Sequence, residues 1–575
     1  MNPKKLLFLL FFLYTGLVVT AQKYTNGVFV LNEDWFGHNN STINFLNTET
    51  GEFNYYIVQE NEANRGLSLG CTSQFGTIYG DNLYVVSKQD QDSGESPDKQ
   101  GGRLVVADAG TMEIKKTIRI IAEKDGKSVA DGRAFVGVDE NKGYIGTSNG
   151  IYVIDLRNLE IKERIEGTEN PLITGGEIPG NGTGPLYNNQ IGIMIRSLDY
   201  VFAIQQDKGV LVINPETDKV EKIIEGCFST MAQSKDGNIW IGKNSNMDYQ
   251  KYPYGVMGER WMGNELLKIN PATLETSIIN VSAGGINHTW YAWTAGSLCA
   301  SVHENALYFT YNNNPWSWFT TTEMYKYDVD NNSFTKIYDS SQEKRYFYGG
   351  AVRVNPLDDK LYASLYLDNN NQNYWIYQLD NKGKKLQEYE PIRRYWFTSL
   401  FIFPDNHAPE VADFNPVNLP GNGTMDIDLS SMAHDRDNLD MAITKRIISI
   451  DNENLVSASI KYNTLTVSAL SNTAGTANIT IRFNSNGKLV DKVLPVQVSS
   501  GSSIDNEYAN LTRIMVKGND IHIYNAEQGQ IAEIYSLQGL LVRKQQINRD
   551  DIIQGLPSGQ AYVLKIGNTR YKIIL

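Results

Sequence analysis

Between residues 28 and 380 the apolar positions come in short continuous runs, each set off by a turn of Gly, Asn, Asp or Pro. One set is Val28-Phe29-Val30-Leu31, Leu83-Tyr84-Val85-Val86, Tyr144-Ile145, Val201-Phe202-Ala203-Ile204, Ile239-Trp240-Ile241, Leu307-Tyr308-Phe309 and Leu361-Tyr362-Ala363. A second set follows the first and runs into a turn: Leu104 to Asp108, Ile151 to Asp155, Val210 to Asn214, Leu266 to Asn270, Met324 to Asp328 and Trp375 to Asp380. Short runs rich in β-branched and aromatic residues predict strands, not helices. The paired phrase returns about every 55 residues, and a strand-only repeat of that length predicts a β-propeller of four-stranded blades.

Seven copies predict seven blades. Blade one lacks an innermost strand, because too little chain precedes Val28. Residues 398–404, Thr-Ser-Leu-Phe-Ile-Phe-Pro, supply it. One C-terminal strand beside three N-terminal ones closes the ring and removes two open sheet edges. After a linker at residues 405–409 the spacing changes to short alternating strands such as Asn478-Ile479-Thr480-Ile481-Arg482. The expected fold is all-β: a seven-bladed β-propeller over residues 22–406, an immunoglobulin-like or cadherin-like β-sandwich over 407–500, and a small C-terminal β-sandwich over 501–575.

The ends carry address signals. Lys4 and Lys5 precede an apolar run over residues 6–19, and Val19-Thr20-Ala21 places small residues at a cleavage point. This predicts a secretory signal peptide over residues 1–21 and an exported protein. No Cys follows the cleavage point, which argues against a lipid anchor. The tail, Ile531-Ala532-Glu533-Ile534-Tyr535-Ser536-Leu537-Gln538-Gly539 with Leu556-Pro557-Ser558-Gly559 and Tyr571 to Leu575, resembles the C-terminal sorting domain of the type IX secretion system of Bacteroidetes. That resemblance implies passage through the outer membrane and attachment at, or release from, the cell surface.

Composition narrows the partners. A net charge of -13 argues against nucleic acid, which needs a basic footprint. Cys71, Cys227 and Cys299 are too few for a disulfide framework and read as small buried hydrophobes.

Loop length then separates two faces of the ring. Turns after the first and third strands are minimal, as in Gly80-Asp81-Asn82, Asn141-Lys142-Gly143 and Asp236-Gly237-Asn238, and their residues serve backbone needs. The opposite face has long loops: 32–41, 87–102, 243–263, 312–322 and 368–374, with crossovers 287–294 and 393–397. Seven of the nine tryptophans fall there. The candidate ligand-binding residues are Trp35, Phe36, Asn244, Tyr254, Arg260, Trp261, His288, Trp290, Trp293, Trp316, Trp318, Tyr374, Arg394 and Trp396. Apolar walls set with amides and arginines suit a small molecule or a sugar.

No nucleophile elbow, zinc-protease helix, phosphate loop or paired-Cys motif is present, so no catalytic residue is assigned. Asp435, Asp437 and Asp440 look like the acidic loop of cadherin-like repeats; a solvated turn is the plainer reading, a calcium site the sharper one.

Gly27-Val28-Phe29-Val30-Leu31-Asn32-Glu33, with residues 40–46 and Thr50-Gly51, resembles the opening blade of a family of surface propellers of gut Bacteroidetes. Some members bind cobalamin and pass it to an outer-membrane TonB-dependent transporter. The resemblance therefore implies a non-enzymatic, surface-delivered ligand-binding propeller with a corrinoid as first ligand. A glycan-binding protein and a polysaccharide hydrolase or lyase stand as alternatives. The absent anchor Cys and the two extra C-terminal units depart from the cobalamin-binding lipoproteins and bear on the transporter partnership.

Overall fold

The computed structural model describes residues 24–171, 173, 189–206, 208–243, 265–281, 297–311, 321–367, 372–500, 512–517, 519–567 and 569–575. The described chain is built of strands, with only short 3-10 turns such as Glu62–Asn64 as helical elements. No helix among the described residues is long and apolar enough to cross a membrane.

Residues 27–402 form seven four-stranded antiparallel sheets. Sheet one carries Gly27–Asn32, Thr42–Asn47 and Phe53–Asn54, and Thr398–Ile402 completes it by pairing with Gly27–Asn32. Sheets two to seven are sequential and begin at Cys71–Tyr79, Gly132–Gly137, Ile191–Ser197, Phe228–Gln233, Cys299–Ala300 and Tyr346–Val354. These first strands touch in succession, and Thr398–Ile402 meets both Tyr346–Val354 and Cys71–Tyr79. The result is a closed, propeller-like ring around a channel.

The continuous apolar runs have a physical cause in this arrangement. Successive side chains of a strand point to opposite faces, and each sheet lies between two others. Phe29 and Leu31 pack toward sheet two with Leu83 and Val85, while Val28 and Val30 pack toward sheet seven with Tyr362 and Ile376. Similar cores fill the other five junctions. Burying each such side chain is worth about 1.5–3 kcal/mol. Only the outermost strands alternate with solvent, as Lys219–Glu225 does.

Two further units follow. Sheets 417–420/488–499/475–485/444–450 and 424–428/464–469/456–461 enclose one core. Sheets 513–517/520–524/551–553 and 541–546/531–536/561–566/569–574 enclose another.

The first of these units covers the short-turn face of the ring. Asn486 Nδ2 donates to the Ile78 carbonyl at 2.9 Å, and Gly80 N donates to the Asn486 carbonyl at 2.9 Å. Asn484 Nδ2 donates to the Tyr79 hydroxyl at 3.0 Å. Arg482 meets Glu140 at 2.9 Å, joined there by Arg446, and Lys488 meets Asp81 at 2.5 Å. Tyr462 reaches Asp199 and Tyr200, and Met441 lies against Gly237. Turns of sheets two to five are thus engaged, and the long-loop face stays on the other side.

Candidate ligand-binding face

Three described segments meet at one side of the long-loop face. Residues 33–41 leave the second strand of sheet one, residues 90–103 join the middle strands of sheet two, and residues 390–397 cross to the closing strand. Glu33 N and Asp34 N donate to the Phe397 and Trp396 carbonyls, each at 3.0 Å. Asp92 accepts from Gly37 N at 2.8 Å and Gly94 N at 2.7 Å, and its own N–H donates to Asn40 Oδ1 at 2.8 Å. Glu95 accepts from Asn40 N at 2.9 Å. A Cβ on Gly94 would lie 2.4 Å from Gly37 O and from His38 Cα, so only glycine permits this approach.

On this frame lies an aromatic shelf. The Trp35 ring stacks on His38 (centroids 3.4 Å apart, planes at 23°) and on Tyr395 (4.3 Å, 25°). Tyr395 continues to Phe397 at 6.3 Å and 15°. Trp35 is 42% and Phe36 49% exposed, so part of each ring faces solvent.

Beside it, Arg394 is held in place. Its Nε and Nη2 reach Asp34 Oδ1 at 3.1 and 3.0 Å, and its Nη1 donates to the Tyr56 hydroxyl. The guanidinium sits 5.1 Å from the ring centroids of both Tyr56 and Trp396. Its side chain stays 31% exposed, while Asp34 is fully buried.

Two predicted contact residues take another role. Trp396 is 1% and Tyr374 2% exposed, so neither offers a face to a ligand. Trp396 stacks on Tyr55 at 5.7 Å and 9°, and its Nε1 donates to the Ile392 carbonyl at 2.9 Å. With Tyr348, Tyr366 and Tyr374 it forms an aromatic core under the shelf. A crossover that must bury its inner side against the closing strand draws its largest ring inward, and spacing alone does not show this.

Trp35, Phe36 and Arg394 therefore meet at one surface. Asn244, Tyr254, Arg260, Trp261, His288, Trp290, Trp293, Trp316 and Trp318 lie outside the described residues.

Sequence reasoning missed the ionisable floor of this face. Glu33 is buried and accepts from Gln74 Nε2 at 3.2 Å. Burial pushes its carboxyl up to about 8, against the pull of Lys88 and a hydrogen bond from Tyr348. Burial likewise draws the Lys88 ammonium down to about 8, opposed by Glu33. Asp34 is pushed up to about 7 by burial, with Arg394 and Thr42 pulling the other way. The available signal was Glu33-Asp34, two carboxylates placed directly after a buried apolar run.

Other candidates resolve into structure. Arg345 lies 3.8 Å over the Trp375 ring and pairs with Glu388 at 2.7 Å, an outer clamp on sheet seven. Cys71, Cys227 and Cys299 form no disulfide; Cys71 and Cys299 are buried as expected, whereas Cys227 is half-buried. The acidic loop does not converge as a calcium cradle: Asp437 binds His407, Asp440 binds His434 at 3.0 Å, and Asp435 accepts from Asp437 N at 3.0 Å. Among the described residues no three His, Cys, Asp or Glu gather as a metal site. The Asp435 and Asp437 carboxylates lie against each other, and burial together with this contact raises Asp437 to about 6.

Comparison with curated protein sequences finds no match. Among solved structures, the chain is similar to a quinonprotein alcohol dehydrogenase-like protein of Bacteroides thetaiotaomicron, with 15% identity, a TM-score of 0.44, and coverage of 66% of this chain and 79% of that one. It is similar to the extracellular domain of a putative one component system of the same organism (12%, TM-score 0.32, 96% and 82%). A third likeness is to PorZ, a surface component of the type-IX secretion system of Porphyromonas gingivalis (11%, TM-score 0.24, 92% and 89%). The sequence profile of a domain family of unknown function matches residues 26–404, well over half the chain, and the protein belongs to that family, DUF5074.

Proposed function

We propose that this protein is an exported, non-enzymatic ligand-binding protein of the cell surface, whose ring is a seven-bladed β-propeller presenting the shelf of Trp35, Phe36 and Tyr395 to a small molecule. The observation that carries this reading is the large exposed ring of Trp35, stacked and locked in place beside a fixed, part-exposed Arg394. A preformed aromatic face with an oriented guanidinium loses little ordering entropy on binding. It suits a broad apolar ligand edged with amides or carboxylates, and a corrinoid has that chemistry. In this reading residues 407–500 are an immunoglobulin-like cap, residues 501–575 direct export and sorting, and an outer-membrane TonB-dependent transporter receives the ligand.

The test uses the full chain mixed with cyanocobalamin and passed through a desalting column. Retained red colour and a shifted corrin spectrum are expected, with at least about tenfold weaker binding in Trp35→Ala, the loss of roughly 1.4 kcal/mol of stacking. A colourless protein fraction at micromolar concentration rejects the corrinoid. Retardation in glycan affinity gels, abolished by the same substitution, would move the ligand to a sugar and keep the shelf.

A further inference from the structure

At the short-turn end of the ring channel the second unit supplies the floor of a partly open space. Two adjoining volumes of about 350 and 390 Å³ share Phe75, Thr77, Met194, Ala232 and Asn486 as walls. Asn438, Leu439 and Asn484 of the second unit floor the first. Cavities of this size lie at the small end of the range for small-molecule sites, about 300–1,000 Å³.

Two arginines project into this space from first strands on different sides of the ring. Arg353, on Tyr346–Val354, donates through Nη1 to the carbonyls of Gly350 (2.6 Å) and Val352 (2.7 Å). Among the described residues it makes no ion pair, and its Nε and Nη2 have no hydrogen-bond partner. Arg196, on Ile191–Ser197, donates through Nη1 to the Leu198 and Tyr200 carbonyls, and its Nε is buried without a partner. Both arginines are half-buried, and a guanidinium with unused donors at a partly desolvated surface can take a carboxylate in a charge-assisted pair.

The neighbouring acids do not supply that charge to Arg353. Cys299, beside it, is a thiol pushed up to about 11 by burial, and is neutral at physiological pH. Asp437 is committed to His407 and to the loop of Asp435. Asp199 lies in the field of Arg196 and accepts from Tyr462 N, without forming an ion pair with the arginine. The walls beside Arg353 are mixed: Ile193, Met231, Leu298 and Leu400 are apolar, while Thr77, Asp405 and Asn486 are polar.

We propose that the short-turn end of the channel is a second ligand site, taking a small organic acid whose carboxylate pairs with Arg353 and whose apolar body packs along the channel wall. Arg196 extends the positive field toward the floor. The site lies at the opposite end of the ring from the aromatic shelf and does not rest on that reading.

The test titrates the full chain with 3-phenylpropionate and with the uncharged 3-phenylpropanamide, by calorimetry at neutral pH. The acid is expected to bind at least about tenfold more tightly than the amide, as a charge-assisted hydrogen bond requires. Arg353→Met should remove that preference, while Arg394→Met, at the shelf, should keep it. Equal binding of acid and amide, no binding of either, or an unchanged preference in a folded Arg353→Met chain overturns the proposal. The acid–amide contrast on the unaltered chain decides the case even where the variant does not fold. Loss of the preference in Arg394→Met alone would place the acid at the shelf and likewise overturn it.

Discussion

Trp35 and Trp396 carry the same side chain and meet opposite surroundings. Trp35 is 42% exposed on the shelf, whereas Trp396 is 1% exposed and donates its indole N–H to Ile392. Trp396→Ala should therefore destabilise the chain by about 3–5 kcal/mol, read by denaturant titration, while Trp35→Ala should cost under about 1 kcal/mol. Glu33 gives a pH signature. Its carboxyl ionises near 4.5 when unfolded and about 8 when folded, so between those values the folded chain holds a proton that the unfolded chain has lost. Stability from this group is complete at low pH and falls as pH rises through that window. Lys88, lowered to about 8, acts in the opposite sense above it. Glu33→Gln should flatten the decline in melting temperature between pH 5 and 8, removing a difference on the order of a few kcal/mol. An unchanged pH profile would mean the carboxyl is not buried as described.

At the scale of elements, turn chemistry was the most legible feature. Asp108 Oδ1 accepts from Gly110 N and Thr111 N, both at 3.0 Å, and Asn270 Oδ1 accepts from Ala272 N and Thr273 N. Such turns need only local side-chain-to-backbone bonds, so local sequence specifies them. The closing strand was legible for a different reason: sheet one lacked a first strand, and Phe401 and Leu400 supply buried side chains to the two adjoining cores. Deleting residues 398–402 should expose the inner edge of Gly27–Asn32 and shift the chain to aggregates in size-exclusion chromatography. The long loops were legible only in position. Gly94→Ala should part residues 33–41 from residues 90–103 and weaken ligand binding at the shelf several-fold. Circular dichroism should remain unaltered, because the contact holds loops and no sheet.

At the scale of the molecule, the second unit fixes one face of the ring. Asn486 occupies a left-handed conformation (φ 46°) and bonds Ile78, Gly80 and Asn406 across the junction. Asn486→Ala adds backbone strain and leaves the Ile78 carbonyl without that donor, at about 1–3 kcal/mol. Scanning calorimetry should show ring and second unit melting together in the parent chain, and a second transition separating in this variant combined with Arg482→Ala. A single transition in both would show that the junction contributes little.

The sequence by itself determined the strands, the repeat, the closing segment and the division into a short-turn and a long-loop face. Those features depend on local turn chemistry and on a repeated two-sided apolar pattern. Tertiary structure alone decided which tryptophans face solvent, because Trp35 and Trp396 differ only in what packs behind them. It also decided that Glu33, Lys88 and Tyr348 share one buried floor, and that Arg196 and Arg353 line adjoining pockets. Each of these groups joins residues far apart in the chain, and burial, which sets their charge, arises only when the ring closes.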